Sequence, residues 1–441
     1  MAIPAIARIE MGRVLKKRVF SSFVLFCMRF AMNSSKFNPL MLRALKNKHF
    51  LACTLLWLFL VQSLLAQNIT FNTSVVTGAD QLNEYLPLLK GKRVGVAANQ
   101  TSVIKNTHIV DTLLSLGIKV VRVFSPEHGF RGVADAGEHL KSYKDAKTGV
   151  PIISLYGKHY KPKPSEVKDL DIIVFDIQDV GARFYTYIST MHYLMESCAE
   201  NHKTFLLLDR PNPNGFMIDG PVLDTVDAKS FVGMHPIPIV HGCTIGELAQ
   251  MVNEEGWLKH KVKCDLKIIK LKDWKHSDLY QLPIKPSPNL PSFNSILFYP
   301  SLCLFEGTKI SMGRGTEKPF EQFGHPGLKG YDYSFTPRSI TGASKNPPFE
   351  SRECFGKLLN DSDAQIILSQ KQIQLKWLLE CYEGFGKSDT LFNNFFKRLA
   401  GTKELKKQIL SGMNEDAIRA SWQPALDAYK EKRKKYLLYE E

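Results

Sequence analysis

The sequence predicts an α/β protein: a Rossmann-like domain built on a doubly wound parallel sheet, followed by a smaller α+β auxiliary domain. Two observations predict this fold. Short apolar runs rich in β-branched residues alternate with helical stretches between residues 93 and 257. These runs are almost continuously apolar, which is typical of parallel strands covered by helices on both faces. Proline-punctuated loops and a helical stretch from about residue 371 then indicate a second domain.

The predicted elements follow one another in the order that such a fold requires. Five apolar runs are expected to be strands, at residues 93–98, 119–124, 151–155, 171–175 and 204–208. Helices are expected at residues 109–116, after the fourth strand, where apolar residues recur at helical spacing, and at residues 244–257. Thr244 and Glu247 have the spacing of a capping box at the start of the last of these helices. Residues 267–271 are expected to form one more strand.

The first 66 residues have the layout of a leader. Residues 1–48 contain ten Lys and Arg residues and one acidic residue, and residues 50–66 form the apolar run FLACTLLWLFLVQSLLA. A basic segment before a short apolar run that ends in a small residue is typical of a secretory signal peptide, and this run is short for a membrane span. We expect translation to start at Met41, cleavage near Ala66, and a periplasmic or extracellular mature protein.

The net charge of +15 comes largely from this leader. Residues 67–441 contain 48 basic and 42 acidic residues, a net charge of +6 that is modest for the length. Nucleic-acid binding is therefore not expected, and contact with a membrane is expected only through the signal peptide. The predicted organisation is a leader at residues 1–66, the Rossmann-like domain at 67–258 and the auxiliary domain at 259–441.

A nucleotide cofactor is not expected, although the fold often binds one. The first strand-to-helix turn reads AANQTSV, without the GxGxxG that lets the backbone approach a pyrophosphate, and no GxxxxGK[ST] is present. The segment SPEHGFRGVADAGEH contains five potential metal ligands: Glu127, His128, Asp135, Glu138 and His139. They lack the fixed spacing of a motif such as HExxH, so we expect no metal, and a metal-dependent hydrolase is an alternative.

Polar side chains follow most of the predicted strands. Ligands of open parallel sheets bind outside the carboxyl ends of the strands, so these residues are candidates for a site. They are Asn99, Gln100, Glu127, His128, Asp176, Gln178, Asp179, Arg183, Tyr185, Asp209, Arg210 and Asn212. Any single Asn or Asp among them is equally well explained as a cap or turn residue. Together they suit a hydroxyl-rich ligand such as a sugar, because two carboxylates can divide the work of cleaving a glycosidic bond.

Several longer motifs resemble a known family. SPEHGFRG, DIIVFDIQDVGARFYTYISTM, LLDRPNPNG, PSPNLPS and LFEGTKISMGRGTEKPFE are similar to strings of the NamZ-type exo-β-N-acetylmuramidases, glycoside hydrolase family 171. The resemblance runs from about residue 89 to the C-terminus. It implies an active site in the cleft between a Rossmann-like domain and an auxiliary domain. It also implies release of N-acetylmuramic acid (MurNAc) from the non-reducing ends of peptidoglycan fragments, which would be the partner molecules.

The resemblance also implies roles for individual residues. Glu127 is the expected catalytic acid, and His128 is expected to orient it. The partner carboxylate stays open among Glu138, Asp176 and Asp179, with the two aspartates favoured because they follow a central strand.

Binding residues are expected on both sides of the cleft. Arg183, Arg210 and Arg314 are candidates for binding the lactyl carboxylate of MurNAc, because a guanidinium can contact a carboxylate through two hydrogen bonds. Asn289, Glu306, Arg314 and Glu321 are expected on the wall formed by the auxiliary domain. A non-catalytic protein that binds muropeptides is the alternative outside enzyme chemistry.

Overall fold

The computed structural model describes residues 69–127, 129–131 and 143–441. The strands of its first part are β1 Arg93–Ala98, β2 Val103–Ile104, β3 Thr107–His108, β4 Lys119–Ser125, β5 Tyr143–Lys144, β6 Pro151–Ser154, β7 Ile172–Asp176, β8 Thr204–Leu208 and β9 Asp265–Ile269. The helices of that part are α1 Leu82–Leu89, α2 Ile109–Ser115, α3 Pro164–Val167, α4 Tyr187–Glu200 and α5 Ile245–Glu254.

The main sheet has the strand order of a Rossmann fold. Among the described residues it contains seven strands in the order β5-β6-β4-β1-β7-β8-β9, and only β5 runs antiparallel to its neighbour. Its six parallel strands, numbered along the chain, follow the order 3-2-1-4-5-6. The sequence-based prediction of a doubly wound parallel sheet is therefore confirmed.

Helices cover both faces of this sheet, as near-continuous apolar strands require. Successive residues of β1 point to opposite faces, so Val96 belongs to one apolar cluster and Ala97 to the other. Helices α1 and α2 contribute to the first cluster, and α4 and α5 contribute to the second. The capping box of α5 forms as predicted, because the Thr244 hydroxyl accepts a hydrogen bond from the Glu247 backbone N–H at 3.2 Å.

The second part of the chain carries a separate small sheet and most of the remaining helices. Its elements are α6 Phe293–Leu302, β10 Gln322–His325, β11 Tyr333–Phe335, β12 Cys354–Leu358, α7 Asp361–Gln370, α8 Leu375–Gly384, α9 Phe396–Ala400, α10 Glu404–Leu410 and α11 Glu415–Lys434. The three strands pair antiparallel in the order β10-β12-β11. Strand β9 follows residue 258 but belongs to the main sheet, and the boundary at residue 258 stays a prediction.

Chain segments after α5 pack against the Rossmann-like sheet. Tyr429 of α11 donates a hydrogen bond to the backbone carbonyl of His241 at 2.7 Å, and Tyr439 donates one to Asp209 at 2.6 Å. Within the described residues, no helix has the length and apolar character that a membrane crossing needs. The predicted leader lies outside the described residues.

Candidate active site

A cleft of about 690 Å³ lies beside the end of β4. Glu127 comes two residues after this strand and lines the cleft, at the carboxyl edge of the sheet where the sequence places the site. The opposite lining comes from residues beyond α6. They are Phe305, Glu306, Thr308, Lys309, Ile310, Met312, Arg314, Ala343, Ser344, Lys345, Asn346, Pro348 and Phe349. The cleft therefore has one wall from the sheet edge and one from the second part of the chain.

Hydroxyl groups surround the Glu127 carboxylate. Thr186 donates a hydrogen bond to Glu127 Oε2 at 3.3 Å, and the Tyr156 hydroxyl also hydrogen-bonds to this carboxylate. Burial, together with the negative charge of Glu127, raises the pKa of Tyr156 and of Tyr187 above the usual range. Both phenols are therefore neutral donors at neutral pH. The hydrogen bonds from Thr186 and Tyr156 therefore orient the Glu127 carboxylate.

A second carboxylate, Glu306, lines the same cleft. Arg314 donates two hydrogen bonds to Glu306 Oε1, from Nε at 3.1 Å and from Nη2 at 2.6 Å. The charge of Glu306 raises the pKa of Tyr156, so Tyr156 lies within electrostatic reach of both Glu127 and Glu306. The guanidinium of Arg314 lies 5.0 Å from the ring centroid of Phe320. Glu306 and Arg314 were predicted as binding residues, and the structure brings both to the cleft with Glu127.

A smaller pocket of about 60 Å³ adjoins the cleft. Glu127 and Arg314 line both spaces. The other lining residues of the smaller pocket are Phe184, Tyr185, Thr186, Tyr187, Ser287, Asn289, Leu290, Tyr299 and Phe320. Tyr185 and Asn289, both predicted as binding residues, therefore lie beside the predicted catalytic acid.

The favoured partner carboxylates lie elsewhere. Asp176 is fully buried and receives two hydrogen bonds from Arg210, at 2.6 Å to Oδ1 and 3.0 Å to Oδ2. Asp179 accepts a hydrogen bond from the Gly181 backbone at 2.7 Å and lies 3.5 Å from His241 Nε2. Neither aspartate is among the described residues that line the cleft or the smaller pocket. Both instead hold the ends of strands and turns together.

Two of the three arginines predicted to bind a carboxylate contact other parts of the protein instead of the cleft. They are Arg183 and Arg210. Arg183 is fully buried, and its guanidinium donates to the backbone carbonyls of Pro221, Ile237 and Leu399. Burial lowers its pKa to about 9, so the side chain stays charged at neutral pH. Arg210 pairs with Asp176 and donates to the Val103 carbonyl at 3.0 Å.

Asp209 and Asn212 follow β8 and form hydrogen bonds with neighbouring segments of the chain. Asp209 accepts hydrogen bonds from the hydroxyls of Thr244 and Tyr439, and burial raises its pKa to about 7. Asn212 donates to the carbonyl of Cys243 at 2.8 Å and packs against Gly181. At Gly181 φ is +76° and a side chain would collide with Asn212, so the turn requires glycine there.

The remaining predicted amides and Glu321 make local contacts. Asn99 accepts from Thr101, Gln100 donates to the carbonyl of Pro286 at 3.0 Å, and Gln178 donates to the carbonyl of Pro211 at 2.7 Å. The Glu321 carboxylate accepts a hydrogen bond from the Ser292 hydroxyl. These four side chains lie outside the residues that line either space.

Two predicted catalytic residues, His128 and Glu138, lie outside the described residues, as do Asp135 and His139 of the same segment. In the part of the chain that is described, no group of three or more His, Cys, Asp or Glu side chains is arranged to hold a metal ion.

The prediction did not include several residues that line the two spaces. Tyr156 comes two residues after the end of β6. Its position after a strand is the feature of the sequence that could have identified it as a site residue. Thr186 and Tyr187 directly follow Tyr185, which was selected by the same feature, whereas Tyr299, Lys309 and Phe349 have no such feature. Tyr299, Lys309 and Phe349 reach the site because segments distant in sequence pack against the sheet edge.

The fold and the site together define a class of protein. The edge of a Rossmann-like sheet, without a phosphate-binding glycine loop, carries a cleft with two carboxylates and several hydroxyls. This arrangement is typical of enzymes that hydrolyse glycosidic bonds, which use carboxylates as acid and as nucleophile or base.

Comparison with known proteins identifies the family. Residues 94–294 match the family described as exo-beta-N-acetylmuramidase NamZ, N-terminal, and residues 297–439 match its C-terminal counterpart. Over 388 residues, the chain is 42% identical to the peptidoglycan beta-N-acetylmuramidase NamZ of Bacillus subtilis (strain 168), covering 83% of this chain and 91% of that protein. The chain therefore belongs to the NamZ family of exo-β-N-acetylmuramidases, which are glycoside hydrolases.

Two crystal structures share this fold. Both are DUF1343 family proteins of Bacteroides fragilis NCTC 9343, and each comparison covers 84% of this chain and 100% of the other. One has a TM-score of 0.77 at 47% sequence identity, and the other has a TM-score of 0.70 at 30% identity.

Proposed function

We propose that this protein is an exo-acting glycosidase that releases MurNAc from the non-reducing ends of peptidoglycan fragments such as MurNAc-GlcNAc, in cell-wall turnover or recycling. The observation that carries the proposal is the position of Glu127, which lines both the cleft and the smaller pocket beside it. Family membership supports the choice of MurNAc as the sugar released.

Glu127 acts as the general acid in this proposal. It protonates the oxygen of the scissile glycosidic bond as the sugar leaves, while Thr186 and Tyr156 keep its carboxyl group oriented. Glu306 is the second carboxylate, because it lines the same cleft and Arg314 bonds to only one of its oxygens. The other oxygen is left to stabilise positive charge at the anomeric carbon or to activate a water molecule.

Binding of the lactyl carboxylate is assigned to the cleft wall. Of the three arginines predicted for this role, Arg314 lines the cleft, whereas Arg183 and Arg210 are committed to buried partners. Lys309 and Lys345 also line the cleft and add positive charge there. An anionic sugar therefore meets cations on the wall opposite Glu127.

Replacement of Glu127 tests the proposal. With purified mature protein, Glu127→Gln is expected to reduce the release of MurNAc from MurNAc-GlcNAc by about 100- to 10,000-fold, the usual contribution of a general acid. The matched control is Glu254→Gln, whose side chain is exposed and pairs with Lys263 on the surface. Near-normal turnover by Glu127→Gln would exclude its role as the acid.

The same assay separates the alternatives. A muropeptide-binding protein would bind MurNAc-GlcNAc in a calorimetric titration and release no MurNAc. A metal-dependent hydrolase would lose its activity in EDTA and regain it when a divalent cation is restored.

We also propose that the protein acts after export, in the periplasm or outside the cell. The basic segment and apolar run before residue 67 support this location. Fractionation of the source cells, with N-terminal sequencing of the exported form, tests the proposal. A mature chain that begins near Gln67 is expected, and an uncleaved chain in the cytoplasm would contradict it.

A further inference from the structure

The smaller pocket beside Glu127 has rigid aromatic walls. Phe184 and Phe320 each pack edge-on against Tyr299, with ring centroids 5.4 and 5.0 Å away, and Tyr185 packs edge-on against Tyr187 at 4.7 Å. Rings that support one another in this way lose little freedom when a ligand enters. At about 60 Å³, the space suits a small substituent and excludes a sugar ring.

Most polar groups of the pocket are already paired within the protein. Tyr185 and Tyr187 direct their hydroxyls to the Pro286 carbonyl, at 2.9 and 3.4 Å. Thr186 donates to Glu127. These groups fix the walls and leave few positions where a ligand can form a hydrogen bond.

Asn289 is the exception. It lines the pocket, the residue is 2% exposed, and its Nδ2 donates to the Ala343 carbonyl at 2.8 Å. That bond identifies Nδ2 as the nitrogen, because a carbonyl accepts only from a donor. Oδ1 is therefore a buried acceptor, and it has no hydrogen-bond partner among the described residues. A buried acceptor without a partner costs stability and calls for a ligand donor.

An acetamido group has the two properties that this pocket requires. Its methyl group is apolar and small enough to contact the rings, and its amide N–H is a donor for Asn289 Oδ1. A sugar hydroxyl at the same position would leave the apolar walls without contact, and a longer acyl chain would exceed the space.

We infer that the smaller pocket binds the 2-acetamido group of the sugar whose glycosidic bond is cleaved, with Asn289 Oδ1 accepting a hydrogen bond from the amide N–H. The inference rests on the proposed function and deepens it, because it names the feature by which the site selects 2-acetamido sugars over 2-hydroxy sugars. Asn289 is a binding residue here and takes no part in proton transfer.

A substrate series on the unaltered protein is the first test. The 4-nitrophenyl β-glycosides of MurNAc, of its N-propanoyl analogue and of the corresponding 2-hydroxy sugar are compared by kcat/KM. We expect the N-propanoyl analogue to react about 10- to 100-fold more slowly than MurNAc, since one extra methylene in a small pocket has an effect of this size. The 2-hydroxy sugar is expected to react more slowly still.

Substitution of Asn289 is the second test. Asn289→Leu removes the acceptor at similar volume and is expected to reduce the preference for the 2-acetamido over the 2-hydroxy sugar by about 10- to 100-fold. Asn289→Asp keeps an acceptor but loses the donor to the Ala343 carbonyl, so it should retain part of the preference that Asn289→Leu removes. The control Asn294→Leu alters a side chain that bonds to Asp361 outside the pocket, and it should leave the preference unchanged.

The outcomes distinguish this inference from the proposed function. If the unaltered protein hydrolyses none of the glycosides, the proposed function and the inference both fail. If it hydrolyses the MurNAc glycoside but accepts N-propanoyl and 2-hydroxy analogues equally well, the inference alone is overturned. Because the substrate series needs no variant, this result stands even if Asn289→Leu does not fold.

Discussion

Two carboxylate–arginine pairs lie near the edge of the sheet and differ in what surrounds them. Asp176 and Arg210 have side chains that are 0% and 4% exposed, and they form a bidentate pair within the protein. Glu306 and Arg314 are 26% and 21% exposed and line the cleft that contains Glu127. The same two functional groups therefore hold the sheet edge together in one place and line an open cleft in the other.

The difference shows that a position at a strand end does not by itself place a carboxylate in the cleft. Asp176 is the last residue of β7, at the position where ligands of such sheets are expected, yet Arg210 from the end of the neighbouring strand occupies both of its oxygens. Glu306 lies in a short 3₁₀ segment far along the chain, and both hydrogen bonds from Arg314 go to one of its oxygens, Oε1. A carboxylate becomes available for chemistry when its partner leaves it incompletely bonded.

Replacing Glu306 should give the largest effect. Glu306→Gln keeps the volume and a hydrogen-bond acceptor for Arg314 but removes the charge, and kcat/KM for MurNAc release is expected to fall by about 100- to 10,000-fold. The free energy of unfolding in urea should change by less than about 1 kcal/mol, because partly exposed pairs contribute little to stability. A large loss of stability with normal turnover would reverse the roles assigned to the two pairs.

For Asp176 we expect a substitution to reduce mainly the stability of the protein. Asp176→Asn leaves the Arg210 charge buried without a partner, and the free energy of unfolding is expected to fall by about 3–5 kcal/mol. The double variant Asp176→Leu/Arg210→Met removes both charges and should recover part of this loss. Urea unfolding monitored by circular dichroism measures both variants, and a double variant less stable than Asp176→Asn would contradict the explanation.

The partly buried His108 extends the comparison to the pH dependence of stability. Burial lowers the pKa of His108 to about 4, and the neutral ring donates from Nε2 to the Asn99 carbonyl while Nδ1 accepts from the Val110 backbone. In the unfolded chain a histidine takes up its proton near pH 6.5, so the contribution of His108 to stability is present above that pH. It is lost as the pH falls from about 6.5 to about 4, by up to about 3 kcal/mol.

His108→Asn tests this dependence. Asparagine at this position still caps α2, so the variant should unfold at neutral pH much as the parent does and lose less stability between pH 6.5 and 4. His260→Asn, at an exposed position, is the control. Identical pH profiles for His108→Asn and the parent would contradict the prediction.

The smallest effect is expected at the C-terminus. The Tyr439 hydroxyl donates to Asp209 at 2.6 Å and accepts from the Leu271 backbone at 2.9 Å. Tyr439→Phe leaves two buried groups each without one partner, and the free energy of unfolding should fall by about 2 kcal/mol. Tyr436→Phe, which loses one bond to the partly exposed Glu255, should cost less. Equal losses would show that burial does not set the size of the effect.

The sequence by itself determined the sheet and one catalytic candidate. Residues 93–98 and 204–208 were predicted as strands and are strands with the same bounds. A continuously apolar run is typical of a parallel strand that is buried on both faces of the sheet. The capping box at Thr244 is local and forms as its spacing predicts. Glu127 follows β4 by two residues, and its placement beside the cleft follows from the general geometry of such sheets.

Only the tertiary structure decided which polar residues face the cleft. Asp176, Arg183 and Arg210 carry the same chemical groups as residues that line it, but their partners come from other segments and hold them in buried contacts outside the cleft. Glu306, Arg314 and Asn289 reach the site through long-range packing. Local sequence determines backbone conformation through nearby sterics and apolar periodicity, whereas the availability of a charge depends on which distant group pairs with it. That pairing is set by the folded chain.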